Sequence, residues 1–121
     1  MLYAILCYHD ENVVEGWTKE EDDAVLAKRS VVKNKLAAKG KLGPVARLMP
    51  TTAATTVRSG REPFIIDGPF AETKEQLLGL YVVDCENLEE AIEAAREMGK
   101  GESGAFEIRP IRHFESGQPR T

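Results

Sequence analysis

The sequence predicts an α+β fold in which two helices cover one face of a four-stranded sheet. The elements read β-α-β-(hairpin)-β-α-β, the split βαβ plan with a β-hairpin inserted before the third core strand. Two segments, Leu2 to His9 and Leu78 to Cys85, are apolar on both alternating faces, as strands covered on both sides are. They are the first and third core strands, which this plan places at the centre of the sheet.

Each element has its own signal. In the first strand Leu2, Ala4, Leu6 and Tyr8 alternate with Tyr3, Ile5 and Cys7. Thr18 and Glu21 form a capping box, each side chain satisfying a backbone donor of the other. Trp17, just before the cap, is expected to staple onto the helix start. The helix should run to Gly40, a natural C′ residue, with Val25, Val32 and Leu36 on its apolar side together with Ala24, Ala27 and Val31.

Gly43-Pro44 opens a short strand, Val45 to Leu48. Thr55 to Ser59 and Phe64 to Ile66 make the hairpin, turning at Gly60-Arg61. Asp67-Gly68-Pro69-Phe70 then breaks the chain, and Thr73 to Gln76 is a second capping pattern that predicts one helical turn. Asn87 and Glu90 open the second helix, which should end near Gly99 with Ala91, Ile92, Ala94, Ala95 and Met98 inward. Phe106 to Phe114 is expected as the last strand. The plan is ferredoxin-like.

A chain of 121 residues fits one domain, expected over 1–114, with a frayed tail over 115–121. No apolar run approaches the roughly 20 residues a spanning helix needs, and the first residues lack the basic start of a signal peptide. A cytoplasmic protein off the membrane is therefore expected. Cys7 and Cys85 sit within apolar runs and read as buried thiols. Two distant histidines and two cysteines offer no zinc spacing, so neither metal nor cofactor is expected. A net charge of −4 without a basic stripe argues against a nucleic-acid partner. Two helices leave one sheet face bare, and a second copy of the chain is the simplest cover, giving a homodimer.

Candidate catalytic groups gather in the loop after the hairpin. Asp67, held by a rigid Gly-Pro turn, can serve as a general base, with Glu72 and Lys74 beside it. The plainer reading has Asp67 accepting backbone N–H bonds in an Asx-turn and the other charges solvated. His9, at the end of the first strand, can reach a cleft between helix and sheet, where imidazole suits acid–base work. Period-two spacing would place Arg109 and His113 on one face of the last strand, as candidate ligand contacts. Arg58 on the hairpin is a third.

The run Asp67-Gly68-Pro69-Phe70-Ala71-Glu72-Thr73-Lys74-Glu75-Gln76-Leu77 resembles the signature of the DGPF branch of YCII-related proteins. Further pieces match in order: Ala54 to Arg58, Gly79 to Val83, Glu89 to Ala91 and Glu107 to Pro110. The resemblance implies a dimeric α/β barrel of two protomers packed sheet to sheet. It also implies an accessory or regulatory module of the kind encoded beside extracytoplasmic-function sigma factors, with a sigma-factor pathway protein as a partner. The wider superfamily implies the alternative: a small-molecule enzyme of isomerase, lyase or dehalogenase type. Some YCII relatives use a His–Asp pair with the histidine on the first helix, and this chain has no histidine there.

Overall fold

The computed structural model describes residues 1–117. The last four residues of the expected tail lie outside the described residues, and 115–117 carry no regular structure. The elements are β1 (Leu2–His9), α1 (Glu11–Glu15), α2 (Lys19–Ala38), β2 (Leu42–Arg47), β3 (Thr55–Arg58), β4 (Phe64–Asp67), β5 (Gln76–Asp84), α3 (Leu88–Gly99) and β6 (Ala105–Pro110). A 3-10 turn lies at Thr51–Ala53.

The main sheet is antiparallel and open, in the order β2-β5-β1-β6. The two strands apolar on both faces are therefore central, as the alternation predicts. β1 pairs Tyr3 with Val83 and Ile5 with Tyr81 on one side, and Ile5 with Ile108 on the other. Tyr3, Ile5 and Cys7 face the helices with Tyr81, Val83 and Cys85. Val32 and Leu36 of α2 complete that core with Ala91, Ala94, Ala95 and Met98 of α3. Alanines on α3 bring its backbone close to the sheet, and Met98 fills the remaining depth.

Both capping residues act as read. Thr18 Oγ1 accepts from Glu21 N at 3.1 Å, and Thr18 N donates to the Glu21 carboxylate at 3.0 Å. Asn87 accepts from Glu90 N at 3.0 Å. Val31, expected inward, is exposed instead, because Val32 and Leu36 already fill the α2 side of the core.

Four other expectations are corrected. β2 begins at Leu42 and includes Pro44, which an edge strand tolerates, with a register shift between Leu42 and Val45. The hairpin strands are separated by residues 59–63, a longer loop than the Gly60-Arg61 pair predicts. No helical turn follows Thr73: its hydroxyl donates to Glu75 O at 2.5 Å, and β5 starts at Gln76. β6 stops at Pro110, so His113 is not on the strand with Arg109.

The second sheet face carries Leu2, Ala4, Leu6 and Tyr8 opposite Val82, Leu80 and Leu77, with both long helices on the other side. β3 and β4 form a separate two-stranded ribbon. It leaves Val57, Phe64 and Ile65 open to solvent, Ile65 at 72%.

Candidate functional site

His9 is the one polar or charged residue found buried among the described residues, at 8% exposure. β1 carries it to the helix side of the sheet, past a register shift between Cys7 and Tyr8. The chain then turns at Asp10, whose carboxylate caps the short α1 by accepting from Asn12 N at 2.9 Å. His9 Nδ1 lies 3.2 Å from the Asp10 carbonyl oxygen, and Nε2 lies 2.9 Å from Ser103 Oγ. A carbonyl only accepts, so in the neutral ring this geometry assigns the proton to Nδ1. Nε2 is then the acceptor for the Ser103 hydroxyl. The Trp17 ring meets the imidazole edge-on, with centroids 5.8 Å apart. Trp17 lines the cleft with Val25 of α2, and the fourth helical residue, Asp22, is drawn to Arg47.

This corner opens into a cavity of about 130 Å³ between α2 and the sheet. Asp22, Val25, Leu26, Arg29 and Lys33 reach it from one face of α2, at the spacing of successive turns. Its walls are largely apolar, with Trp17, Phe106, Val14 and Leu78 among them. Three cations line it, Arg29, Lys33 and Arg47, against one carboxylate, Asp22. That local surplus is opposite to the chain's net charge of −4.

The charges are largely committed. Arg47 pairs with Asp22 at 2.8 Å and holds its carboxyl below the usual range. Arg29 pairs with Glu102 at 2.8 Å and lies over the Phe106 ring at 5.4 Å. Burial works against the Arg29 charge, and Tyr81 and Glu102 outweigh it. Lys28 also meets Glu102, at 2.7 Å; that contact is ionic and not aligned as a hydrogen bond. Lys33 makes no ion pair among the described residues. Burial pushes the nearby Cys7 thiol up to about 11, keeping it protonated at neutral pH. Among the described residues no three His, Cys, Asp or Glu side chains converge as a metal centre requires.

Asp67 and Glu72 line a different concavity, with Glu11, Thr51 and Gln76. Glu11 accepts from both the Thr51 hydroxyl and Thr51 N, the latter at 2.8 Å. Gln76 accepts from Glu11 N at 2.9 Å and donates to Thr73 O at 2.5 Å. These bonds tie the loop to the end of β1. Among the described residues no hydrogen bond reaches the Asp67 carboxylate, so the expected Asx-turn is not formed. The turn is held by backbone instead: Gly68 N donates to Ala54 O at 2.9 Å, and Gly68 O accepts from Thr56 Oγ1 at 2.8 Å.

The remaining candidates are scattered. Lys74 is exposed on the loop. Arg58 lies over the Phe70 ring at 5.0 Å. Arg109 is exposed on the open sheet face beside Ala4. His113 is exposed, 3.5 Å from Glu115. Of the predicted residues, only His9 enters the helix–sheet cleft. Ser103, which meets His9, and the neighbouring Arg29–Glu102 pair were not foreseen. The available signal was the run Gly101-Glu102-Ser103-Gly104, two glycines at positive φ bracketing two polar residues.

The chain is 52% identical to an uncharacterized protein of Rhizobium meliloti (strain 1021) over 121 residues, covering 98% of each chain. The family model for the YCII-related domain matches residues 1–115, nearly the whole of the fold just described. The chain therefore belongs to the YCII-related domain family.

Proposed function

We propose that the protein is a homodimeric small-molecule binding module of the DGPF type, whose helix–sheet cleft takes a compact, largely apolar anion. One observation carries this reading: an apolar-walled cavity with a surplus of cations in an acidic chain, holding a buried histidine at its end. A cavity of about 130 Å³ is close to the roughly 150 Å³ that holds benzene in an apolar protein interior. One ring with a short acidic substituent is the matching size, and Lys33 is the cation free to meet it.

Dimerisation would cover the open sheet face, where Leu2, Leu6, Tyr8 and Leu80 stand half-buried. Two such faces packed together form the α/β barrel, with an interface on the order of 2,000 Å². Two buried free thiols favour a cytoplasmic setting. The accessory role in a sigma-factor pathway, implied by the DGPF-type resemblance, fits a module that reports ligand binding to a partner. The enzyme reading is favoured by one contact, the His9–Ser103 pair, which gives the cleft an acid–base group that the Asp67 loop does not share.

Trp17 is the sole tryptophan and lines the cleft, so its fluorescence reads occupancy directly. Benzoate should give a saturable change, benzamide should bind about tenfold more weakly or worse, and Lys33→Met should erase that difference. No saturable response to benzoate would overturn the cleft reading. Sedimentation should show a dimer that Leu6→Arg converts to a folded monomer. A wild-type monomer at micromolar concentration would remove the barrel.

A further inference from the structure

We propose that Ser103 and His9 form a nucleophile–base pair, giving the cleft acyl-transfer reactivity towards small activated esters. The proposal rests on the cleft being the ligand site. Its own ground is separate and lies in the geometry around the imidazole.

Three conditions make a serine nucleophilic: a base within hydrogen-bond reach, a base held in the right tautomer, and an oxygen that a substrate can approach. Ser103 Oγ lies 2.9 Å from His9 Nε2. The Asp10 carbonyl oxygen, 3.2 Å from Nδ1, holds the ring proton on the far nitrogen, the place an orienting carboxylate takes in a triad. Nε2 is thus free to take the hydroxyl proton. His9 is buried, whereas Ser103 is exposed and lines the cleft with it.

The loop bearing Ser103 is held from two sides. Lys28 Nζ donates to Lys100 O at 2.6 Å, and the neighbouring Glu102 is clamped by Lys28 and Arg29. Gly104, at φ 100°, is packed so that an added Cβ would lie 2.6 Å from Tyr8 O and 2.8 Å from His9 Cδ2. The serine is therefore pinned against the imidazole and not merely near it. Lys33, which makes no ion pair among the described residues, lines the same cleft as a cation for a developing oxyanion.

In the first step Ser103 Oγ bonds to the ester carbonyl carbon and its proton passes to His9 Nε2. The tetrahedral adduct collapses, the C–O bond to the leaving alcohol breaks, and Nε2 returns the proton to that oxygen. A solvent water then attacks the acyl-serine with His9 as base, releasing the acid and restoring Ser103. No oxidant or cofactor enters.

The test uses the intact protein with p-nitrophenyl acetate, followed by peptide mapping, and in parallel a fluorophosphonate probe. The expected result is a burst of p-nitrophenolate, acetyl and phosphonyl groups on Ser103, and a loss of about 10²-fold or more in Ser103→Ala and in His9→Gln. Ser103→Ala should melt within about 2 °C of the wild type, which shows that the lost acylation is not lost folding. Acyl groups found only on lysines or cysteines, or no acylation at all, would overturn the nucleophile and leave the binding reading standing if the benzoate response persists. Loss of both in the wild-type protein would overturn the two together.

Discussion

At the end of β1, polar side chains at and around the buried His9 answer one another: His9 meets Ser103, and Arg29 meets Glu102. On the hairpin and the loop that follows it, the pattern is inverted. There the apolar groups face water, Ile65 at 72% and Phe70 at 68% exposure, while Asp67 and Lys74 carry no ion pair among the described residues. The first region has paired most of its charges and opens into a cavity. The second depends on backbone bonds such as Gly68 N to Ala54 O, and its side chains stand largely in water. Perturbing the first should therefore register in protomer stability, and perturbing side chains of the second should not.

The largest expected effect is at Glu102. Its side chain is 7% exposed and serves both Lys28 and Arg29. Glu102→Gln keeps the shape and removes the charge, leaving the partly buried Arg29 without its ionic partner. Breaking a buried pair on one side costs about 3 kcal/mol, which corresponds to a melting shift of roughly 10 °C. Phe64→Ser on the hairpin should stay within about 0.5 kcal/mol in the same melting experiment. Equal shifts in the two variants would break the comparison.

A second effect of similar size depends on pH. Burial pushes the Cys7 thiol from 9.0 in the unfolded chain up to about 11 in the fold. A raised pKa means that the folded state holds the proton more tightly. The associated stability is fully present below pH 9 and is lost as pH rises through 11. Two units amount to about 3 kcal/mol, read from denaturant midpoints between pH 8 and 11. Cys7→Ala should lower stability at pH 8 yet flatten the alkaline decline. Cys85 and Tyr81, both raised chiefly by burial, would supply the remaining slope. An unchanged decline in Cys7→Ala would assign the effect to them.

The two regions also differ in how much of them was legible in the sequence. Alternation in β1 and β5 marked both strands as central, because period-two burial is a local property. The caps at Thr18 and Asn87 were legible for the same reason: donor and acceptor lie three residues apart. The cleft was not. Ser103 reaches His9 across 94 positions and Glu102 reaches Arg29 across 73, and no spacing rule spans such distances. His9 alone was visible, as a polar residue ending an apolar strand. The loop at Thr73 misled for a different reason: its residues suit a capping box, but Gln76 is drawn to Glu11 and Thr73, and the strand wins the contest. The DGPF run drew attention to Asp67 through turn chemistry, whereas the buried chemistry lies at β1.

Glycines in the two regions should fail by different mechanisms. An added Cβ at Gly99 would lie 2.4 Å from the Phe106 ring, which packs against the core. At Gly68 nothing lies within 4 Å, but φ is 138°, a conformation that side chains rarely adopt. Gly99→Ala and Gly68→Ala should each cost about 1–3 kcal/mol, the first by overpacking and the second by backbone strain. Phe106→Leu should recover part of the Gly99→Ala loss and none of the Gly68→Ala loss. A double-mutant cycle measures that difference, and equal rescue would erase the distinction.

The smallest expected effect is at Asp67, where the loop's structural and functional readings separate. Its carboxylate takes no hydrogen bond among the described residues, and the neighbouring turn is held by Gly68 backbone atoms and by the Thr56 hydroxyl. Asp67→Asn keeps size and shape and removes only the ionisable group. With no native bond to lose, stability should change by less than about 0.5 kcal/mol, as at an ordinary surface position. The benzoate response of Trp17 should also be unchanged, since Asp67 lines a different concavity from the tryptophan. A shift above about 2 kcal/mol would show that the turn needs the carboxylate, either by itself or through a contact in the proposed dimer. Repeating the melt with Leu6→Arg separates these cases: the Asp67→Asn cost should vanish in the monomer if the partner supplies the contact, and persist if the turn alone needs the charge.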